Sequence, residues 1–209
     1  SSPVAAFTPF LGSLLQSSAS ELVWEQRFSA FELAFLQGHR VGRVPLLPGT
    51  CYIEMARAMV RQQHGETGFA LPNVSFQTIM FLDEAELHGA PIVQLQLQRA
   101  SAQLAISSRL DQGAWDTHAV MEVEPRAAEA TMELDRAALL SRCPQSVDGE
   151  TFYANTGNAY QGEFRALAEA WGGGGAGEVM GKVEYARSET RRVHLRSCAW
   201  LDACTHLWW

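Results

Sequence analysis

His39, Asp202 and His206 are the side chains of this 209-residue sequence best placed to move protons. His39 stands in GHRVGRVPLLPGT, directly ahead of a loop punctuated by Pro and Gly. Asp202 and His206 are four residues apart in LDACTHL, so on a helix they share one face and the imidazole can hydrogen-bond and orient the carboxyl. A neutral imidazole suits the work of a base near neutral pH. A carboxyl suits the work of an acid only while protonated, a state that an apolar site favours. Ala199, Trp200, Leu201 and Ala203 supply apolar neighbours to Asp202. A charged His206 would favour the carboxylate, so a neutral His206 is expected. Taken singly, a His before such a loop is more often structural, and an Asp at a helix start is more often a cap or a surface charge. Tyr160, in GNAYQGEF, is suited either to contact a substrate or to anchor a turn. His64, His88, His118 and His194 have no motif spacing and read as surface or structural residues.

The elements that position these residues are visible in the hydrophobic pattern. Residues Glu21 to Phe28 alternate as a half-buried strand, and the apolar stretch Ala34 to Leu36 leads into His39. After LLPGT the spacing predicts a helix from Tyr52 to Val60, with Tyr52, Met55, Ala56 and Met59 on one buried face and Thr50 as its capping hydroxyl. The N–H groups at that helix start, around Gly49 and Thr50, are suited to polarise a carbonyl oxygen. Three strand-like segments follow, at Asn73 to Leu82, Ile92 to Leu110 with a hairpin near Ala100–Ser101, and Trp115 to Glu124. Pro125 to Ser146 reads as a connector carrying a short helix. A second module begins near Thr151, with a helical stretch to Trp171, a flexible Gly172–Gly177 run, the strand-like EVMGKVEY and the start of a helix in CAWLDACTHLWW. Periodicity thus gives an α+β chain with an antiparallel sheet, divided into residues 1–125, 126–150 and 151–209.

Composition narrows the function further. The chain is 47% hydrophobic, enough for a sizeable core. A formal charge of -7 argues against nucleic acid as the main partner. No stretch approaches the roughly 18 consecutive apolar residues of a membrane span, and no secretory signal is visible, so the chain reads as soluble and cytoplasmic. Cys51, Cys143, Cys198 and Cys204 are too scattered for a disulfide framework or a zinc site and are expected to be reduced. A start at Ser1 and an apolar end at Trp208 and Trp209 suggest a piece of a longer polypeptide.

With these residues in view, GHRVGRVPLLPGTCYIEMARA resembles the first active-site motif of polyketide synthase dehydratase domains, in which a His precedes a loop ending in Pro-Gly. His39 and Pro48 match its HxxxGxxxxP spacing, with Arg43 at the usual Gly position and Gly42 beside it. Gly157 to Phe164 is similar to the family's YGPxF motif, with Gln161 inserted between Tyr160 and Gly162 and no Pro. Leu201 to His206 resembles the DxxxQ/H motif, while the His-Pro that usually precedes that Asp is missing from VHLRSCAWLDA.

The resemblance implies a double hot dog fold, in which antiparallel sheets wrap around central helices, the second hot dog here being incomplete because family members continue past the Asp helix with further strands. It implies a hydro-lyase: His39 and Asp202, facing each other across one tunnel, would take water from a 3-hydroxyacyl thioester to leave an enoyl thioester. Gly49, Thr50, Tyr160 and His206 would contact the substrate or support the pair. It implies no metal and no organic cofactor, with the substrate carried on the phosphopantetheine of an acyl carrier domain. Neighbouring synthase domains are expected partners, and an open sheet edge is expected to favour a homodimer. The basic run Arg187, Arg191, Arg192 and Arg196 is either a docking aid for an acidic carrier or, more simply, a solvated loop. Competing readings are a product-template cyclisation domain, a non-catalytic dehydratase-like scaffold, and a hot dog thioesterase relying on Glu54.

Overall fold

The computed structural model describes residues 10–65, 68–82, 89–127, 133–175, 177–184 and 193–208. A six-stranded antiparallel sheet follows from period-2 alternation. Its strands are β1 (Ser13–Ser17), β2 (Glu21–Arg27), β6 (Ser75–Phe76), β7 (Ile92–Gln98), β8 (Gln103–Arg109) and β9 (Asp116–Glu122), in the order β1-β2-β7-β8-β9-β6. The register aligns Trp24, Leu95, Ile106 and Ala119 in one row across four strands, and Leu22, Leu97, Leu104 and Met121 in the next. The first row is fully buried and packs in one cluster with Tyr52, Met55, Ala56 and Met59 of the helix α2 (Gly49–His64). The stripe read from sequence is therefore the face on which the sheet closes, and the hairpin falls where expected.

Two short elements set up the loop before α2. Helix α1 (Ala30–Leu36) starts in a capping box, Ser29 accepting from the Glu32 N–H and the Glu32 carboxylate accepting from the Ser29 N–H. The two-residue strands β3 (Arg40–Val41) and β4 (Val44–Pro45) then form a tight hairpin. A separate pair joins β5 (Gly68–Ala70) to β10 (Glu124–Arg126).

In the second half, α3 (Arg136–Arg142) is capped by Asp135, and β11 (Gln145–Asp148) leads into α4 (Gly149–Asn155), capped by Asp148. Strand β11 pairs with β12 (Leu167–Gly172), which pairs with β13 (Met180–Val183). Helix α5 (Val193–Thr205) packs on α2, with Cys51 from one helix and Cys198 and Ala199 from the other wholly buried. None of the four cysteines forms a disulfide.

Three local expectations differ from the structure. Residues Asn73 to Leu82 form a strand only at Ser75–Phe76, because the backbone beyond it serves the loop before α2: the Leu47 N–H donates to Met80 O and the Leu82 N–H to Pro45 O. The helical stretch expected to Trp171 is strand β12, where pairing on both sides overrides the helix preference of Leu, Ala and Glu. Thr50 does not cap α2; Pro48, extended at φ -68° and ψ 149°, is the N-cap, without a side-chain hydrogen bond. Arg187, Arg191, Arg192, His88 and the side chains of Arg196 and His194 lie outside the described residues. Among the described residues no helix is long and apolar enough to cross a membrane.

Candidate active site

His39 is clamped by Leu46. Its Nδ1 lies 3.0 Å from Leu46 O, and the Leu46 N–H donates back to His39 O at 3.1 Å. A carbonyl only accepts, so Nδ1 carries the proton and the neutral ring presents a bare Nε2. The hairpin between these residues turns at Gly42, whose φ of 60° is left-handed. The glycine displaced from the motif's usual position is therefore supplied one residue earlier, and Arg43 needs no unusual backbone.

The second half docks on the same loop. The Gln161 N–H donates to Gly38 O at 2.8 Å, and the Gly42 N–H donates to Asn158 Oδ1 at 3.1 Å. A Cβ at Gly38 would stand 2.6 Å from Gln161 O, so the approach requires glycine there. The inserted Gln161 is thus a contact with the residue next to His39. Phe164, fully buried, packs its ring 5.3 Å from the His39 ring.

Asp202, near the end of α5, brings Oδ1 to 3.6 Å from His39 Nε2. His206, in the 3-10 turn His206–Trp208, places Nε2 at 2.9 Å from Asp202 Oδ2. All three side chains are buried. Tyr153 extends the chain of contacts: its hydroxyl accepts from the Leu167 N–H at 3.1 Å and faces His206 Nδ1 at 3.5 Å. Donation by Tyr153 to Nδ1 would leave Nε2–H to donate to Asp202 Oδ2. Burial raises the phenols of Tyr153 and Tyr160, so both stay protonated. Burial also pushes His39 below its ordinary 6.5, outweighing the opposite pull of Asp202 and the Leu46 hydrogen bond.

Tyr160 packs against both imidazoles: its ring lies 4.3 Å from that of His206 and 5.4 Å from that of His39. Two cavities flank Asp202 and His206. One, of about 470 Å³, is bounded by Leu46, Gly49, Thr50, Tyr52, Phe76 and Asp202. The other, of about 780 Å³, is bounded by Thr151, Asn155, Asn158, Tyr160 and His206. Sequence reading thus placed His39, Asp202, His206 and Tyr160 at what becomes one site, with Gly49 and Thr50 on its wall. It missed Tyr153, Asn158 and Phe164, whose only signal was membership of the FYANTGNAYQGEF segment. Glu54 lines neither cavity and pairs with Arg57 at 3.2 Å. Among the described residues no group of three His, Cys, Asp or Glu side chains is arranged to hold a metal ion.

Comparison with known proteins agrees with this layout. Residues 8–109 match the polyketide synthase dehydratase domain family. A highly reducing polyketide synthase of Purpureocillium lilacinum is 29% identical over 171 residues, 75% of this chain. The chain spans only 6% of that relative's length. The dehydratase domain of a mycocerosic acid synthase-like polyketide synthase is similar over 99% of this chain and 74% of its own, with 26% identity and a TM-score of 0.77. The CurK dehydratase has the same fold, with a TM-score of 0.79, 20% identity and coverage of 96% of this chain and 73% of its own; a His-to-Phe and an Asp-to-Asn change each give an inactive mutant of that protein. The sheet wrapped on α2 is the hot dog of these structures, and the chain is similar to polyketide synthase dehydratase domains.

Proposed function

We propose that this domain eliminates water from a 3-hydroxyacyl thioester delivered on the phosphopantetheine arm of an acyl carrier domain of the same synthase. The observation that carries the reading is the 3.6 Å approach of His39 Nε2 to Asp202 Oδ1, one group from each half of the chain. A base and an acid that serve adjacent carbons of one substrate must lie close together, and these do. Inactivity of the CurK dehydratase after a His or an Asp change is consistent with such a pair.

In the proposed reaction His39 Nε2 takes the C2 proton, and the electrons of that C–H bond become the C2=C3 double bond. The C3–O bond breaks, and the hydroxyl leaves as water with the proton of Asp202. The His39 imidazolium then returns a proton to the Asp202 carboxylate, restoring both groups. His206 holds Oδ2 and leaves Oδ1 for the transfer. N–H groups of Gly49 and Thr50, at the start of α2, would polarise the thioester carbonyl. This scheme uses no metal and no organic cofactor. The division into hot dog units at 1–125 and 151–209, joined by 126–150, belongs to the same reading, as do homodimer formation and docking with neighbouring synthase domains. Side chains of His39 and Asp202 pointing apart, or a filled tunnel, would support the scaffold reading; their 3.6 Å approach favours the dehydratase. Incubation with a 3-hydroxyacyl carrier domain, beside His39→Ala, tests the proposal by mass spectrometry of the acyl arm.

A further inference from the structure

His118, on β9, takes no part in the scheme above, yet it is buried and both of its ring nitrogens are engaged. Nδ1 lies 2.9 Å from Thr78 O, and Nε2 lies 2.7 Å from Ser108 Oγ. Burial pushes this histidine below its ordinary 6.5, so the ring is neutral near pH 7. A carbonyl only accepts, so Nδ1 carries the proton and Nε2 accepts from the Ser108 hydroxyl. The backbone adds a second tie to the same segment, the Gln77 N–H donating to His118 O at 2.8 Å.

The segment so held follows β6, and its residues Phe76, Gln77, Thr78 and Ile79 line the cavity of about 470 Å³ beside Asp202. Phe76 is 56% and Ile79 55% exposed, so packing does little to fix this wall. Hydrogen bonds fix it instead. Beyond Ile79, Met80 O and the Leu82 N–H are tied to the loop before α2, and His118 supplies the ties at Gln77 and Thr78. The Tyr52 ring stacks on His118 at 6.2 Å and 4°. Phe76 lies 6.1 Å from Tyr52, and a Cβ at Gly49 would stand 2.9 Å from Phe76 Cζ, so the wall runs on to the start of α2.

Building on the dehydratase reading, we propose that His118 is a positioning residue for chain-length selection, its ring holding Thr78 so that the Phe76–Ile79 wall packs against the distal carbons of a long acyl chain. Leu46, Leu47, Ile53, Phe76 and Ile79 offer that chain apolar surface. A short chain ends before the wall and is indifferent to it. A long chain loses contact when the wall drifts.

The test is equilibrium binding of butyryl- and decanoyl-pantetheine by calorimetry. Neither carries a 3-hydroxyl, so binding is read without dehydration; failure to dehydrate a 3-hydroxyacyl substrate would indict His39 and Asp202, not this wall. Two variants divide the bonds of the His118 ring. His118→Asn keeps an N–H donor near the place of Nδ1, for Thr78 O, whereas His118→Gln reaches toward Ser108 and gives up the Thr78 bond. Wild type and His118→Asn are expected to bind decanoyl-pantetheine at least about tenfold tighter than butyryl-pantetheine, and His118→Gln no more than about threefold tighter. A merely structural His118 would change the affinity for both ligands alike. A measurement on wild type alone needs no variant to fold: decanoyl-pantetheine should shift the His118 imidazole nitrogen resonances, and butyryl-pantetheine should not. Equal affinity of wild type for the two ligands, no measurable binding, the same preference in both variants, or imidazole resonances unmoved by decanoyl-pantetheine would overturn the proposal.

Discussion

Leu46 O occupies Nδ1 of His39, and burial holds the ring neutral to lower pH than an ordinary histidine. The acid limb of kcat/KM is therefore expected below 6.5, where an unperturbed imidazole would already be protonated. The same shift sets a stability trend. As pH falls through 6.5 the unfolded chain protonates this residue while the folded chain does not, so stability drops until the folded value is reached. Denaturant midpoints of wild type and His39→Gln, followed from about pH 7 to pH 5, should separate in that direction; parallel curves would contradict it. Tyr153 acts one contact further out. Tyr153→Phe should lower kcat by about tenfold with little change in KM, because His206 loses the donor that fixes its tautomer. It should also cost about 1–3 kcal/mol, since the buried Leu167 N–H loses its acceptor. Stability loss with kcat intact would make Tyr153 purely structural.

At the scale of elements, the hairpin that carries His39 depends on one left-handed residue. Gly42→Ala should cost about 1–2 kcal/mol from backbone strain alone, since an added Cβ meets nothing within 4 Å. Arg43→Gly should change stability by far less, and thermal unfolding of the two variants measures both. Much of this level was legible in the chain. Alternation announced β2, β7, β8 and β9, and the spacing of Tyr52, Met55, Ala56 and Met59 announced α2, because each pattern reports burial on one face. Asn73 to Leu82 and Leu167 to Gly172 were not legible. Their conformations are set by partners distant in sequence, the loop before α2 for one and β11 with β13 for the other. Thr50 misled for a related reason: a hydroxyl near a helix start reads as a cap, and only the fold shows the cap at Pro48.

At the scale of the whole molecule, the site exists because two halves meet, and each contributes one member of the His39–Asp202 pair. Motif order made that pairing legible as a resemblance, but the distances across it depend on packing that spacing does not encode. Ala199, Cys51 and Cys198 are small and fully buried where α2 meets α5, which lets the helices approach. Gly38 does the same for the loops. Gly38→Ala drives a Cβ toward Gln161 O, so the halves must shift and water loss should fall by more than tenfold. Kinetics of that variant, with circular dichroism to confirm folding, report how far activity depends on the junction.

The most direct measurement of the central claim is mass spectrometry of a carrier domain loaded with 3-hydroxyacyl groups of several chain lengths, incubated with wild type, His39→Ala and Asp202→Asn. The His39–Asp202 geometry predicts loss of one water with wild type and none with either folded variant. Water loss that persists in His39→Ala, or its absence from well-folded wild type at every chain length, would contradict it.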